Sequence, residues 1–198
     1  MAKYHHGNLR NTLLAIAIEL LAEDGVHALS MRKMAQRAGV SHNAPYMHFS
    51  DKDAVLAAIA EEGFRRLAID VESAIFKSED SNRQKLIAAS EAYICFAIEH
   101  PDHLQLMFQP VDVKKYPALL EVSQASLNQL FELVKSGQEN GELRPGDTHE
   151  MTKAIWAMVH GAAALSIAYR TPILLPRKKS IEDVVTALLN YLLDGLAA

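Results

Sequence analysis

With 198 residues, 49% of them hydrophobic and 22% charged, the chain is long and apolar enough to bury a sizeable core, as a soluble globular protein does. A single cysteine, Cys95, excludes an internal disulfide and a multi-cysteine zinc site, and it fits a reducing compartment. The net charge of −4 opposes an evenly spread nucleic-acid surface, but residues 1–52 carry six Lys/Arg against four acids (+2) and the remainder fourteen against twenty (−6), as expected of a basic head on an acidic body.

In chain order, Leu9, Leu13, Ile16, Ala17 and Leu20 form a stripe at helical spacing, with Asn8 as its cap and Gly25 as its stop. A second helix follows. Ser30 is its N-cap, Met31, Met34, Ala35 and Ala38 make its apolar face, and Arg32, Lys33, Gln36 and Arg37 fall opposite. Gly39 suits the left-handed residue that closes such a helix, and Val40 supplies an apolar plug. The next helix, ending in the aromatic run Tyr46-Met-His-Phe49, starts in one of two places. With Ser41 as cap, Pro45 lies at the fourth helical position and breaks the first intrahelical bond; with a start near Ala44, it is a comfortable first residue.

Ser50 and Asp53 then match a capping box, and a fourth helix runs to Phe76, a length of about 39 Å. Beyond the polar stretch 77–83, helical patterns cover 83–99, 102–108, 117–138, 148–170 and 181–196, punctuated by Pro and Gly. No strand alternation, repeat or low-complexity segment interrupts them. The fold class is therefore all-α: a three-helix head over 1–52 and a helical body over 53–198 that includes the fourth helix. No run reaches the roughly 18 apolar residues of a membrane span, and the N-terminus lacks the apolar core of a secretory signal, so a cytoplasmic location without a membrane partner is expected.

Two short helices joined by a glycine turn are the signature of a helix-turn-helix. Ser30, the amides behind it, Arg32 and Lys33 could bind phosphates, because an anion at the helix start reverses the unfavourable dipole interaction of those cations. In the next element, Ser41, His42, Asn43 and Ala44 occupy the part that meets base edges. Asn43 can bond adenine twice, His42 can bond a base or a phosphate, and Ala44 can touch a thymine methyl.

With this head, the run Gly39-Val-Ser-x-x-x-x-Tyr46-x-His48-Phe49-Ser-x-Lys52 and the long fourth helix, the chain resembles the TetR family of bacterial transcriptional regulators over residues 8–60. Trp156 with His160-Gly161, and the opening Tyr4-His-His-Gly-Asn-Leu-Arg10, resemble the subgroup named for its Trp-His-Gly pattern. Pro45 departs from the leucine or other helix former commoner in the family. The resemblance implies phosphate contacts from Tyr46, His48 and Lys52, a homodimer formed by the last two long helices, and a small-molecule effector bound in the body. The wide stripe Ile181, Val184, Val185, Leu188, Leu189, Leu192, Leu193 and Leu196 fits a dimer helix.

For the effector, the candidates are Tyr93, Phe96, His100, Met107, Phe108, Phe131, Trp156 and His160, apolar and aromatic groups with a few donors among them. A core needs such residues too. His100-x-x-His103 with Asp102 is too sparse for a metal site, and no cofactor is expected. Three readings follow: a repressor released from a roughly palindromic operator by an effector, a regulator switched by oxidation of Cys95, and a helical enzyme with a vestigial head. The last lacks any catalytic motif, including a phosphate loop and a nucleophile elbow.

Overall fold

A computed structural model describes residues 9–78, 81–109, 111–169 and 180–195, and all regular structure among them is helical. The α-helices are α1 (Leu9–Asp24), α2 (Met31–Ala38), α3 (Lys52–Lys77), α4 (Asn82–Glu99), α5 (Pro101–Met107), α6 (Pro117–Glu139), α7 (Thr148–Tyr169) and α8 (Ile181–Asp194). Short 3₁₀ turns occupy Val26–Ala28, Pro45–Met47 and Val113–Lys115. Asn8, Leu196 and the residues before Leu9 named above lie outside the described residues.

The chain forms two compact units: Met1–Gly63 with Asp102–Glu121, and Phe64–Pro101 with Val122–Ala198. In the first, Leu13, Ala17, Met34, Ala35, Val55 and Ile59 are wholly buried. Each comes from the apolar stripe of α1, α2 or α3, so the periodicity that makes these helices amphipathic also builds this core. Leu106 of α5 joins it. Gly63 lets α5 approach, since a Cβ there would meet the Met107 sulfur at 2.7 Å.

The helix ends follow local chemistry. Ser30 Oγ accepts the Lys33 amide at 3.2 Å, and Gly39, at φ 67°, closes α2 while the Val40 amide reaches back to the Ala35 carbonyl at 3.0 Å. The expected Ser50–Asp53 box is not the start of α3. Asp51 Oδ1 takes the Ala54 amide at 2.8 Å instead, because α3 begins at Lys52 and places Asp51 one residue before its first turn.

In the second unit α4 packs against α7 and α8, burying Leu86, Phe96, Ala97, Ile155, Ala163, Val185 and Leu189. Arg83 clamps α4 to α8 by bonding Asn190 at 2.7 Å and Asp194 at 2.9 Å. Glu142 accepts from Ser81 Oγ at 2.9 Å and Asn82 Nδ2 at 3.1 Å, fastening the turn after α6 to the start of α4. These bonds hold the Glu142 carboxyl below its ordinary value. A Cβ at Gly137 would fall 2.7 Å from Leu143 Cδ1, so the α6 turn needs glycine there. Ser180 and Asp183 form a reciprocal capping box on α8.

One expectation changes. Residues 148–168 of α7 are long enough, and apolar enough in their mean, to cross a membrane by length and composition. Ala, Met and Ile raise that mean without forming an unbroken apolar run, which is why the sequence pattern showed no such segment. Ile155, Val159, Ala162 and Ala163 of this helix are buried within the second unit.

Candidate functional site

The first candidate surface lies on the first unit. From Ser41 to His48 the backbone forms turns rather than an α-helix. Ala44 N bonds Ser41 O at 3.0 Å, Tyr46 N bonds Asn43 O at 3.1 Å, and Met47 N bonds Ala44 O at 3.2 Å. The cap of the 3₁₀ turn is Ala44, and Pro45 takes the first position, where no amide is needed. The later of the two possible starts is therefore the one adopted, and the Ser41 side chain caps nothing there.

Pro45 and Phe49 are buried, whereas Ser41, His42, Asn43, Tyr46 and His48 are exposed and Ala44 is half-buried. Two apolar anchors thus hold the turn and leave its polar residues facing solvent. The Arg10 guanidinium sits 5.4 Å from the centre of the Phe49 ring, bracing that anchor from α1.

The neighbouring cations are not equivalent. Lys33 pairs with Asp24 at 3.4 Å, and Arg37 pairs with Glu23 at 2.9 Å, which raises the Arg37 pKa. Among the described residues Arg32 has no ion pair, and it is exposed at the start of α2 beside Ser30. Lys52, expected at a phosphate, donates to the Val26 carbonyl and so braces the turn after α1 against α3. Sequence reasoning missed this bond, which links residues 26 apart through a backbone atom.

The second candidate surface lies in the second unit. Tyr93 Oη and His160 Nδ1 are 2.8 Å apart, and the Trp156 side chain is hydrogen bonded to Tyr93. Indole can only donate, so the phenol oxygen accepts from Trp156 and its proton is left for Nδ1. His160 Nε2 then carries the imidazole proton. Burial lowers the His160 pKa and raises that of Tyr93, so both groups are held neutral, as this relay requires. Trp156 stacks on His160 with ring centres 5.6 Å apart, as their four-residue spacing allows.

The other effector candidates do not join this relay as one group. Phe96 is buried against His100, with ring centres 5.2 Å apart, and Phe131 lies against His149 at 4.6 Å. Met107 and Phe108 belong to the first unit, where Met107 is buried beside Gly63 and Phe108 is 38% exposed. None of the eight lines an open cleft of about 590 Å³ in the second unit, whose walls include Lys77, Ile87, Glu91, Cys95 and Glu182. In that cleft burial, then Glu91 and Glu99, push the Cys95 thiol up, which disfavours the reactive thiolate. Among the described residues no three His, Cys, Asp or Glu side chains form a metal-binding group.

Residues 13–59 match the family described as bacterial regulatory proteins, tetR family, and residues 86–188, more than half of the chain, match the tetracyclin repressor-like C-terminal domain. The chain belongs to the TetR family of bacterial DNA-binding transcriptional regulators. Among TetR-family relatives, it is 34% identical over 129 residues to the HTH-type transcriptional activator FasR of Mycolicibacterium smegmatis. That match covers 63% of this chain and 58% of FasR. The tetracycline repressor protein class A from transposon 1721 of Escherichia coli is 37% identical over 83 residues, 42% of this chain and 37% of the repressor. A structure of a protein of unknown function from Rhodococcus sp. RHA1 superposes with a TM-score of 0.83 at 35% identity and covers all of both chains.

Proposed function

We propose that this TetR-family regulator is a cytoplasmic homodimer that represses transcription from a roughly palindromic operator and leaves it when a small molecule binds the body. The observation that carries the reading is the set of exposed polar side chains Ser41, His42, Asn43, Tyr46 and His48, held in place by buried Pro45 and Phe49 beside a capped, basic α2. Ser30, Arg32, Lys33, Tyr46 and His48 take phosphates, with Lys52 helping from its bracing position. Asn43 and His42, supported by Ser41 and Ala44, meet the bases. Two such heads bind together when their recognition turns are about 34 to 36 Å apart or a multiple of that.

The dimer reading draws support from apolar side chains left in the open on the last two helices: Trp156, Leu165 and Tyr191 are 37%, 43% and 65% exposed. For the effector, the Tyr93–His160–Trp156 relay supplies polar groups among apolar ones, as expected of a small-molecule site. Helix α3 is one of three passages of the chain between the units, since 52–63 belong to one and 64–77 to the other; the chain crosses again after Pro101 and, within α6, after Glu121. An effector acts only through its different affinity for the DNA-competent and released states. No catalytic step and no redox role for Cys95 enters this reading.

The test is selection of random DNA fragments by the purified protein, with and without a metabolite pool. Enrichment of an inverted repeat that is lost on adding the pool supports the reading, and no enrichment overturns it. Conversion of a metabolite by the protein would favour an enzyme. A promoter fused to a reporter gives the sign: expression that rises with added protein would overturn repression.

A further inference from the structure

Among the described residues of the first unit, Met47 is the most exposed large apolar side chain, and it stands between the polar-tipped Tyr46 and His48. Met47 is 82% exposed, whereas Met31 and Met34 of the same unit are 6% and 0% exposed. It ends the 3₁₀ turn Pro45–Met47, and the Phe49 amide bonds the Pro45 carbonyl at 3.0 Å. Because Pro45 and Phe49 both face inward, the tight turn sends Tyr46, Met47 and His48 outward.

Those three side chains differ in what they can recognise. Tyr46 and His48 carry donors suited to phosphate, but a thioether is only a weak acceptor and cannot hold an anion. What Met47 offers is a flexible, polarisable apolar arm. On the major-groove edge of duplex DNA the matching group is the C5-methyl of thymine. We infer that Met47 is a specificity-determining residue that packs on a thymine methyl in each half-site. The inference rests on the reading of this head as a DNA binder and adds a base contact to it.

The experiment uses the full chain and the selected operator duplex in fluorescence anisotropy titrations. Each thymine is replaced in turn by deoxyuridine, which removes only the methyl, at symmetric positions in both half-sites. The wild-type protein loses about fourfold in affinity per half-site at one position, the worth of one buried methyl-sized group. Met47→Ala binds the thymine duplex more weakly by a similar factor and no longer distinguishes the two at that position, whereas Met47→Leu keeps the distinction. Thermal melting of M47A matches wild type, because the side chain lies outside the core.

A wild-type protein indifferent to every substitution, or an M47A protein with the same loss at the same base, overturns the inference while leaving DNA binding intact. Failure to select any duplex overturns the DNA-binding reading itself, and this inference with it.

Discussion

The first unit encloses Leu13, Ala17, Met34, Val55 and Ile59 completely and exposes Tyr46 and Met47 on the 3₁₀ turn at Pro45, with Phe108 elsewhere; the second, with a core of its own, leaves Ile69, Phe76, Leu127, Leu165 and Tyr191 open. Phe76 is 89% exposed and Tyr191 65%. The head can therefore hold an irregular, proline-bearing turn in one geometry, since the rigidity comes from the helices beneath it. Its apolar surface is nearly used up. The body still has apolar surface to cover, the condition of a unit that completes itself against a partner. A polar relay of Tyr93 and His160 adds a contact between α4 and α7 to the core of the body.

The sharpest way to break this contrast is to cut into each side of it. Leu13→Ala is expected to cost about 2 to 5 kcal/mol in denaturant unfolding and to weaken DNA binding, because it opens a cavity in the core cluster that also holds Phe49 and the apolar face of α2. Tyr191→Ala is expected to leave helix content unchanged and to move self-association to higher protein concentration in analytical ultracentrifugation. Equal loss of folded structure in both variants would erase the difference between the units.

A smaller effect should come from the relay. Tyr93→Phe removes the hydroxyl between Trp156 and His160 and is expected to cost about 1 to 3 kcal/mol, measured by urea unfolding. The same relay predicts a pH dependence. Burial depresses the His160 pKa below 6.5 in the folded chain, so on acidification the unfolded chain takes up its proton first. The stabilisation of the neutral ring is complete above about pH 6.5 and is lost as pH falls through that value towards the folded-state pKa. His160→Gln should flatten this part of the stability curve relative to wild type, and an unchanged slope would remove His160 from the account.

The smallest effect on stability separates two cations of the head. Arg32→Ala should leave unfolding unchanged, weaken binding to all duplexes alike and reduce the salt slope by about one. Lys52→Gln should lower stability as well, by about 1 kcal/mol, because it releases the Val26 carbonyl. If R32A changed base preference, Arg32 would belong with the base readers.

The eight α-helices among the described residues were legible because apolar periodicity agrees with cap, Pro or Gly punctuation, as at Ser30, Gly39 and Pro117. The start of α3 was misread by one residue, since Ser50 and Asp51 are both good caps and only the backbone path chooses between them. Pro45 posed the right question about the recognition element, but its answer depends on burial of the proline ring, which a sequence pattern does not display. In the body, Trp156 and His160 were readable as a pair at helical spacing. Tyr93 was readable only as a donor on another helix, because its partner lies 67 residues away. Glu142, which binds residues about 60 positions back, gave no signal at all.

The ion pairs between α1 and α2 have a kinetic consequence. Arg37 and Lys33 already have carboxylate partners in Glu23 and Asp24, so these cations bring less unspent charge to a phosphate backbone than their number suggests. Fewer condensed counterions are released at random sites, and non-specific affinity falls accordingly. Such a head is expected to have short dwell times on unrelated sequence and to search the chromosome by frequent release and recapture, with long residence reserved for the operator.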